Sequence, residues 1–241
     1  MKNIKKILLI TAMTMALGTS AFAASGFEFL LNVPFGMNIA FPNKETKDLG
    51  LEKNYGGFDA GVEAQIGYMF QVKEGFGISV LGELGYAWDW YNYSSESATA
   101  TGGGGWTLDG SYHSLKLGLL PKFNIGVGKG TIALGIGGGV KIPAVATLRY
   151  GYGVWNADLN REEGIDTVTL KRQDILDLFS PALIGYMKFT FDYYLFFTDK
   201  IGMNFGFYLG GSFGPKVRDL KLGGNAFDFG LQLGFRFGPK A

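Results

Sequence analysis

The sequence predicts an all-β protein: an up-and-down antiparallel transmembrane β-barrel of about eight strands, with tight turns at one end and long loops at the other. Three observations predict it. Apolar residues alternate with polar or small ones over stretch after stretch, and successive side chains leave a strand on opposite faces. The stretches are long: roughly 9–11 residues cross a bilayer as a tilted strand, whereas strands of soluble sheets run nearer 5–6. The connections alternate short and long without a miss, the asymmetry expected of a barrel with two unlike ends.

The first 23 residues read as a secretory signal peptide. Lys2, Lys5 and Lys6 form a positive start, Ile7 to Leu17 a short apolar run, and Ala21-Phe22-Ala23 a small-residue cleavage site. An uncleaved membrane anchor is the alternative, but the apolar run is short and the cleavage site follows at once. One domain, 24–241, is expected after it. The chain has no cysteine, which excludes a lipid-anchored cysteine and disulfides. Acids and bases nearly balance, 21 against 22, and three lysines leave with the leader. That balance argues against a nucleic-acid partner, which usually needs a basic surplus. Glycine is abundant, aromatics make up 15% and charge is light, a β-rich profile.

The strands follow in order. The first, Gly26 to Phe41, places Phe27, Phe29, Leu31, Val33, Phe35, Met37, Ile39 and Phe41 on one face. The second, GGFDAGVEAQIGYMFQV, sets Phe58, Val62, Ile66, Tyr68 and Phe70 against Asp59, Glu63 and Gln65. The third runs from Phe76 to Trp90, the fourth from Tyr112 to Gly126, and the fifth from Thr131 to Ala144. The last three run 182–197, 201–213 and 226–237. Tight turns at 73–75, 128–130 and 198–200 alternate with long loops at 42–55, 92–111, 145–180 and 215–225. An even strand number puts both chain ends on the turn side, expected to be periplasmic. Pro121 removes a ladder hydrogen bond within the fourth strand, which predicts a bulge there.

Side-chain size decides which face is wet. A soluble, lipocalin-like barrel would turn its apolar face inward, but eight strands enclose an interior only just wide enough for side chains. Dozens of large residues, many of them Phe, would not fit. The polar faces carry the glycines instead, among them Gly61, Gly67, Gly118, Gly137, Gly206 and Gly230. The apolar faces hold no Asp, Glu, Lys or Arg, as expected where a base at mid-bilayer costs roughly 2–4 kcal/mol. His113, near the outer end of the fourth strand, is the exception. Trp88, Trp90 and Tyr91 are expected at the outer rim, and Tyr68, Phe70, Tyr193, Phe197, Phe235 and Phe237 at the inner rim.

Strand number, loop asymmetry and face chemistry together resemble the small eight-stranded outer-membrane proteins, the class of the OmpA membrane domain, OmpX and OmpW. The likeness covers essentially the whole chain after the leader and is architectural. It implies a bacterial outer-membrane location after Sec-type export, in contact with outer-membrane lipid. One local motif matches: FDFGLQLGFRF is similar to the signal such proteins present to the barrel-assembly machinery. Phe237 stands for the terminal aromatic, with Phe229, Leu231, Leu233 and Phe235 alternating before it. The tail Gly238-Pro239-Lys240-Ala241 departs from the pattern, because in the family the aromatic usually ends the chain.

The inward faces carry both signs: Glu28, Asp59, Glu63, Glu83, Asp89, Lys116, Lys122, Lys141, Lys188, Asp192, Asp228 and Arg236. Two adjacent buried carboxylates repel unless bases lie between them, and buried charges persist when paired. The expectation is a mid-lumen ion-pair plug of Glu63, Glu83, Lys116, Lys122 and Lys188. OmpA-like barrels close their bore in this way, which the resemblance implies here. Glu28 and Arg236 are expected to pair at the periplasmic mouth. A water-filled lumen without a gate is the alternative.

Other chemistries find little support. NIGVGKGT lacks the first glycine of a phosphate loop, and GIGGGV fails the dinucleotide pattern at Val140. One His and no Cys give no metal cluster and no cofactor is implied. Some eight-stranded barrels are lipid-modifying enzymes; here Ser111 and His113 share a face but no acid joins them, and an enzyme is not expected. The loops 145–180 and 92–111 are the candidates for an external ligand, since loops beyond roughly 12–15 residues are usually functional or disordered. VATLRYGYGVWNADLN continues the alternation of the fifth strand above the membrane. RQDILDLF, Arg172 to Phe179, has the spacing of a short amphipathic helix that could cap the mouth. SSESATATGGGG reads as a flexible, low-complexity loop. The expected role is a structural or small porin-like conduit for small or apolar solutes. A surface adhesin acting through its loops is the alternative, and an extra hairpin within 145–180 is open.

Overall fold

The computed structural model describes residues 25–54, 56–99, 102–156 and 161–241. The leader expected at 1–23 lies outside the described residues. Nine strands and two short helices follow in order: β1 (Gly26–Pro42), α1 (Lys44–Asp48), β2 (Gly57–Lys73), β3 (Phe76–Thr99), β4 (Gly102–Val127), β5 (Gly130–Asn156), β6 (Arg161–Lys171), α2 (Arg172–Leu178), β7 (Ile184–Phe196), β8 (Ile201–Phe213) and β9 (Gly224–Phe237). Eight strands close a ring. Each pairs antiparallel with its neighbours, β5 pairs β7, and β9 returns to β1. The strand β6 stands outside the ring and pairs with the upper part of β5, from Val145↔Lys171 to Trp155↔Arg161.

Two of the expected long loops are therefore largely sheet. Segment 92–111 is the continuation of β3 and β4, paired as far as Thr99↔Gly102. Segment 145–180 is the top of β5, the hairpin strand β6 and α2. Strands β3 to β6 rise together past the ring, so one wall of the barrel is much taller than the other.

The bulge expected at Pro121 is absent: Val80↔Pro121 continues the β3–β4 register unbroken. Leu120 and Pro121 have no ladder partner in β5, and the register resumes unchanged at Lys122↔Gly135. A missing N–H on one side of a strand leaves a gap in the ladder without displacing it. The register shift falls instead between His113 and Ser114, opposite Val145 and Pro143, with Ala144 the extra residue. It reverses the parity of β5. Below it, Lys141 and Pro143 face inward; above it, Ala146 and Leu148 do.

The burial pattern follows the predicted faces. Phe27, Met37, Val62, Val80, Leu119, Phe189 and Leu231 are exposed on the outside, while Glu28, Glu63, Glu83, Lys122, Asp192 and Arg236 are buried within. Tyr91 is a correction. It was expected in the outer aromatic belt, but its odd position turns it inward, where it is 7% exposed. Trp88 and Trp90 keep the outer face, and Trp88 tilts against Phe58 at 5.7 Å.

The two ends of the ring are closed differently. At the turn end the tail folds across the opening: Gly238 N donates to Lys200 O, and Arg236 Nη2 donates to Pro239 O at 3.0 Å. At the loop end α2 lies over the mouth. Ile175 and Phe179 are buried with Tyr91, Tyr112, Ala146, Ile184 and Ala226. Arg172 ties the start of the helix to Pro143 O and Ala182 O. Arg218 takes up carbonyls of its last turn, Leu176 O at 2.7 Å and Asp177 O at 3.2 Å. On the other side Asn43 caps α1 by accepting from Thr46 N, and Thr46 Oγ1 donates to Gly223 O.

Glycine makes room for the interior at defined points. A Cβ on Gly118 would stand 2.0 Å from Tyr186 Oη and 2.9 Å from Gly138 O. A Cβ on Gly153, in the tall wall, would meet nothing within 4 Å. Gly118→Val is therefore expected to destabilise the barrel by about 1–3 kcal/mol through overpacking, and Gly153→Val by much less. Urea unfolding of the refolded chain, followed by tryptophan fluorescence, measures the difference.

Candidate functional site

The bore is the candidate site, and strand parity builds it. Every charged residue that the alternation turns inward has its head in a space too narrow to hold a shell of water around each ion. The groups are arranged in tiers.

The lowest tier sits at the turn end. Arg236 Nε lies 2.8 Å from Glu28 Oε1, and both side chains are fully buried. The guanidinium also packs over the Tyr194 ring, 4.4 Å from its centre. Ser79 donates to Glu28 at 2.5 Å, and Asn124 donates to Ser79. The expected Glu28–Arg236 pair is thus brought together where β1 and β9 close the ring.

The second tier centres on Asp192. Lys122 Nζ lies 2.8 Å from its Oδ2 and 3.1 Å from Tyr194 Oη. Gln232 and Asn204 donate to its other oxygen. Lys122 is a correction to the expected plug, which grouped it with Glu63 and Glu83. It lies six residues below Lys116 on β4, so the pleat carries it to the level of Asp192 on β7.

The third tier holds the rest of the expected plug. Lys116 pairs with Glu63. Lys188 Nζ lies 2.9 Å from Glu63 Oε1 and 2.5 Å from Glu83 Oε1. Gln65 donates to both carboxylates, at 2.5 and 3.3 Å. Tyr186 donates to Glu83 at 2.7 Å, and Lys116 Nζ stands 4.6 Å from the centre of the Tyr186 ring. Two lysines thus separate two carboxylates.

Above this tier, Lys141 lies 2.5 Å from Asp89 Oδ1, Tyr208 donates to Asp59, and Ser212 donates to Asp228. A cavity of about 50 Å³ separates these groups from the tier below, with Lys116, Lys188 and Gln232 among its lining. The apolar cluster under α2 then closes the mouth.

The inward charges and Gln65 were legible from the alternation of the sequence, while the other neutral partners were not singled out. Gln65, Tyr186, Tyr194, Asn204, Tyr208 and Gln232 all carry the inward parity of their strands. That parity was the signal that could have found the others.

Ser111 and His113 are engaged separately on the outer face. Trp88 Nε1 donates to Ser111 Oγ at 2.7 Å, while His113 Nδ1 and Tyr86 Oη lie 2.6 Å apart. The His113 ring stacks on Trp88 at 18°. Phe229, Leu231, Leu233, Phe235 and Phe237, the residues of the expected assembly signal, share the outer face of β9, the strand that completes the ring against β1.

A closed antiparallel barrel with an apolar exterior and a charged, hydrogen-bonded bore defines the class of this protein. No family model matches the chain, and no curated protein matches it in sequence. Among solved structures the chain is similar to Ail, the attachment invasion locus protein of Yersinia pestis, with 7% identity, 88% of this chain and 99% of that one covered, and a TM-score of 0.31. It is also similar to Neisserial surface protein A, with 10% identity, 89% and 98% covered, and a TM-score of 0.38. The outer-membrane protease OmpT of Escherichia coli aligns at 6% identity, 88% and 98% covered, and a TM-score of 0.37. At such identities and scores these likenesses add nothing to what the strand pairing itself shows.

Removing one partner of a buried pair leaves an uncompensated charge, at a cost of roughly 3–5 kcal/mol. Lys122→Met is expected to destabilise the barrel on that scale by stranding Asp192. The double variant Lys122→Met/Asp192→Leu should recover most of the loss, because it removes both charges. Unfolding free energies of the four proteins in the cycle measure the coupling.

Proposed function

We propose that the chain is an integral protein of the bacterial outer membrane, a structural barrel whose bore serves as a small porin-like conduit for small or apolar solutes when its central ion pairs rearrange. The membrane part of this reading is supported by the outer surface. Soluble monomers rarely leave contiguous apolar patches beyond a few hundred Å² in water, and here large apolar side chains are exposed on all eight strands of the ring. Outer-membrane lipid is the natural partner of that surface, and the barrel-assembly machinery the partner of the β9 signal during insertion.

The observation that carries the conduit reading is the shared bonding of the third tier. Lys188 reaches Glu63 and Glu83 together, and Glu63 accepts from both Lys116 and Lys188. Glu63 and Lys188 each have two ionic partners, and Glu83 also accepts from Gln65 and Tyr186, so a lysine can leave either carboxylate while other donors still hold it. Such a set can exchange pairings at modest cost, whereas a single isolated pair cannot. Catalysis is not part of this reading, since Ser111 and His113 have different partners on the outer face.

A second reading rests on the tall wall. The upper parts of β5 and β6 present Tyr150, Tyr152, Ile165 and Val168 exposed beyond the ring. An adhesin-like barrel would meet an external surface there, through the segments 92–111 and 145–180.

Leu117→Arg, on the outer face beside Leu84, is expected to destabilise the barrel in lipid by about 2–4 kcal/mol; equal stability of variant and parent in vesicles would argue against a lipid-facing exterior. Single-channel recording in a planar bilayer tests the conduit. Discrete openings whose size or frequency changes in Glu83→Ala support it. Silence in both forms means a filled core, and leaves the tall wall as the working surface.

A further inference from the structure

The lower three tiers of the bore are electrically balanced. Arg236 meets Glu28, Lys122 meets Asp192, and Lys116 and Lys188 meet Glu63 and Glu83. The uppermost tier is not balanced. It holds Asp59 on β2, Asp89 on β3 and Asp228 on β9, and among the described residues Lys141 on β5 pairs with Asp89 alone. Ionised throughout, this tier carries two uncompensated negative charges in a largely buried space. Buried groups ordinarily escape that cost by pairing or by taking up a proton.

Hydrogen bonding is out of balance in the same direction. Lys141 takes one oxygen of Asp89, Tyr208 donates to Asp59 Oδ2, and Ser212 donates to Asp228 Oδ2. The second oxygens, Asp59 Oδ1, Asp89 Oδ2 and Asp228 Oδ1, are buried and accept from no described residue. Asn38 Oδ1 shares that condition, and Asn38 stands opposite Asp228 in the β1–β9 register. Asp89 is 1% exposed and Asp228 7%. Four buried acceptors therefore lack donors, where buried acceptors ordinarily have one.

All three carboxyl groups line the cavity of about 50 Å³ that separates them from the central tier. Its polar walls and size give room for water, which needs roughly 10–15 Å³ and a few polar partners. The surrounding strands bring no further base to the upper side. β1 offers Asn38 and Gly36, β8 the Tyr208 phenol, and β3 the Tyr91 phenol above. The lower side is different: β4 brings Lys116, β7 brings Tyr186 and Lys188, and β2 brings Glu63. A metal ion needs several oxygen ligands converging on it. Among the described residues no three acidic or metal-ligating side chains are so arranged. A proton meets both shortages, because it cancels a charge and turns an acceptor into a donor.

We propose that Asp59 and Asp228 are proton-binding sites, held as neutral acids, and that losing their protons as pH rises draws Lys116 and Lys188 across the cavity and opens the central tier. Asp89 keeps its charge because Lys141 is paired with it. Asp59 and Asp228 have only neutral hydroxyl donors, so they are the two that take protons. With the protons bound, the upper tier is balanced and the central lysines stay on Glu63 and Glu83. With the protons gone, two negative charges face those lysines over a short polar gap. The proton sites stand on the charge and donor count alone; the opening rests on the conduit reading.

Infrared spectra of the full refolded chain in nanodiscs detect a neutral carboxyl by its C=O stretch, and ¹³C-carboxyl-labelled aspartate shifts the band when aspartate carries it. An aspartate band is expected at neutral pH, where ordinary aspartates, titrating near about 3.9, are ionised; it should vanish in alkaline buffer. Asp59→Asn and Asp228→Asn imitate the neutral form and should each remove part of the band. Heat-shifted migration on gels confirms that each variant is folded, and the label assigns the band to aspartate without any variant. No aspartate band at neutral pH, or a band unchanged in both variants, overturns the proton sites. In single-channel recordings the open probability of the parent should rise with pH, by up to about tenfold per unit for each proton lost. Asp59→Asn/Asp228→Asn should stay closed across the same range. A parent that titrates in the infrared but opens equally at every pH overturns the coupling. A parent that titrates but never opens overturns the conduit reading and upholds the proton sites.

Discussion

The structure depends on the pairing of charges inside a bore too narrow to hydrate them. Eight strands leave an interior that side chains fill, and a dozen ionisable residues point into it. Each must find an opposite charge or a hydrogen-bond donor close by, because a lone buried ion is expensive. The tiers are the solution. Arg236 meets Glu28, Lys122 meets Asp192, two lysines meet Glu63 and Glu83, and Lys141 meets Asp89. Neutral side chains then occupy the remaining oxygens: Gln65 and Tyr186 in the third tier, Asn204 and Gln232 in the second.

That arrangement sets the rest of the architecture. Large rings and ion pairs need volume in a fixed cross-section, so glycine stands opposite them: Gly118 under Tyr186, Gly206 beside Asp192, and Gly36 and Gly230 around Tyr208. With the inside committed to polar and small residues, the large apolar ones can only face outward. Their exposure makes the barrel stable in lipid and a poor prospect in water. The same contacts pin strand register, since a slip of one residue would turn every charge of a strand outward.

The loop end obeys a different chemistry because one inserted residue changes the parity of one strand. Below Ala144 the fifth strand sends Lys141 into the bore; above it the same strand sends Ala146 and Leu148. The interior turns from charged to apolar within one turn of the pleat. Apolar parts of α2 can then dock on it, with Ile175 and Phe179 meeting Tyr112, Ala146 and Ile184.

The sequence by itself determined the ring: strand number, inward and outward faces, the tight turns and the charged lining all follow from a period of two, which needs no tertiary knowledge. It also marked α2, because apolar spacing in Arg172 to Phe179 is a local signal. Height and parity were decided by tertiary structure. Whether Lys122 meets Glu83 or Asp192 depends on how far each strand is staggered against the next. Stagger is a property of the closed sheet, not of any one segment. The place of the bulge escaped for a related reason. Pro121 lacks an N–H and drew attention, yet there a missing donor only opens a gap in the ladder; the extra residue is Ala144, beside Pro143, and that second proline was the mark that could have placed the bulge. Segment 92–111 looked like a loop because serine and glycine have low strand propensity. It became strand because β5 offers a neighbouring edge for it to pair with.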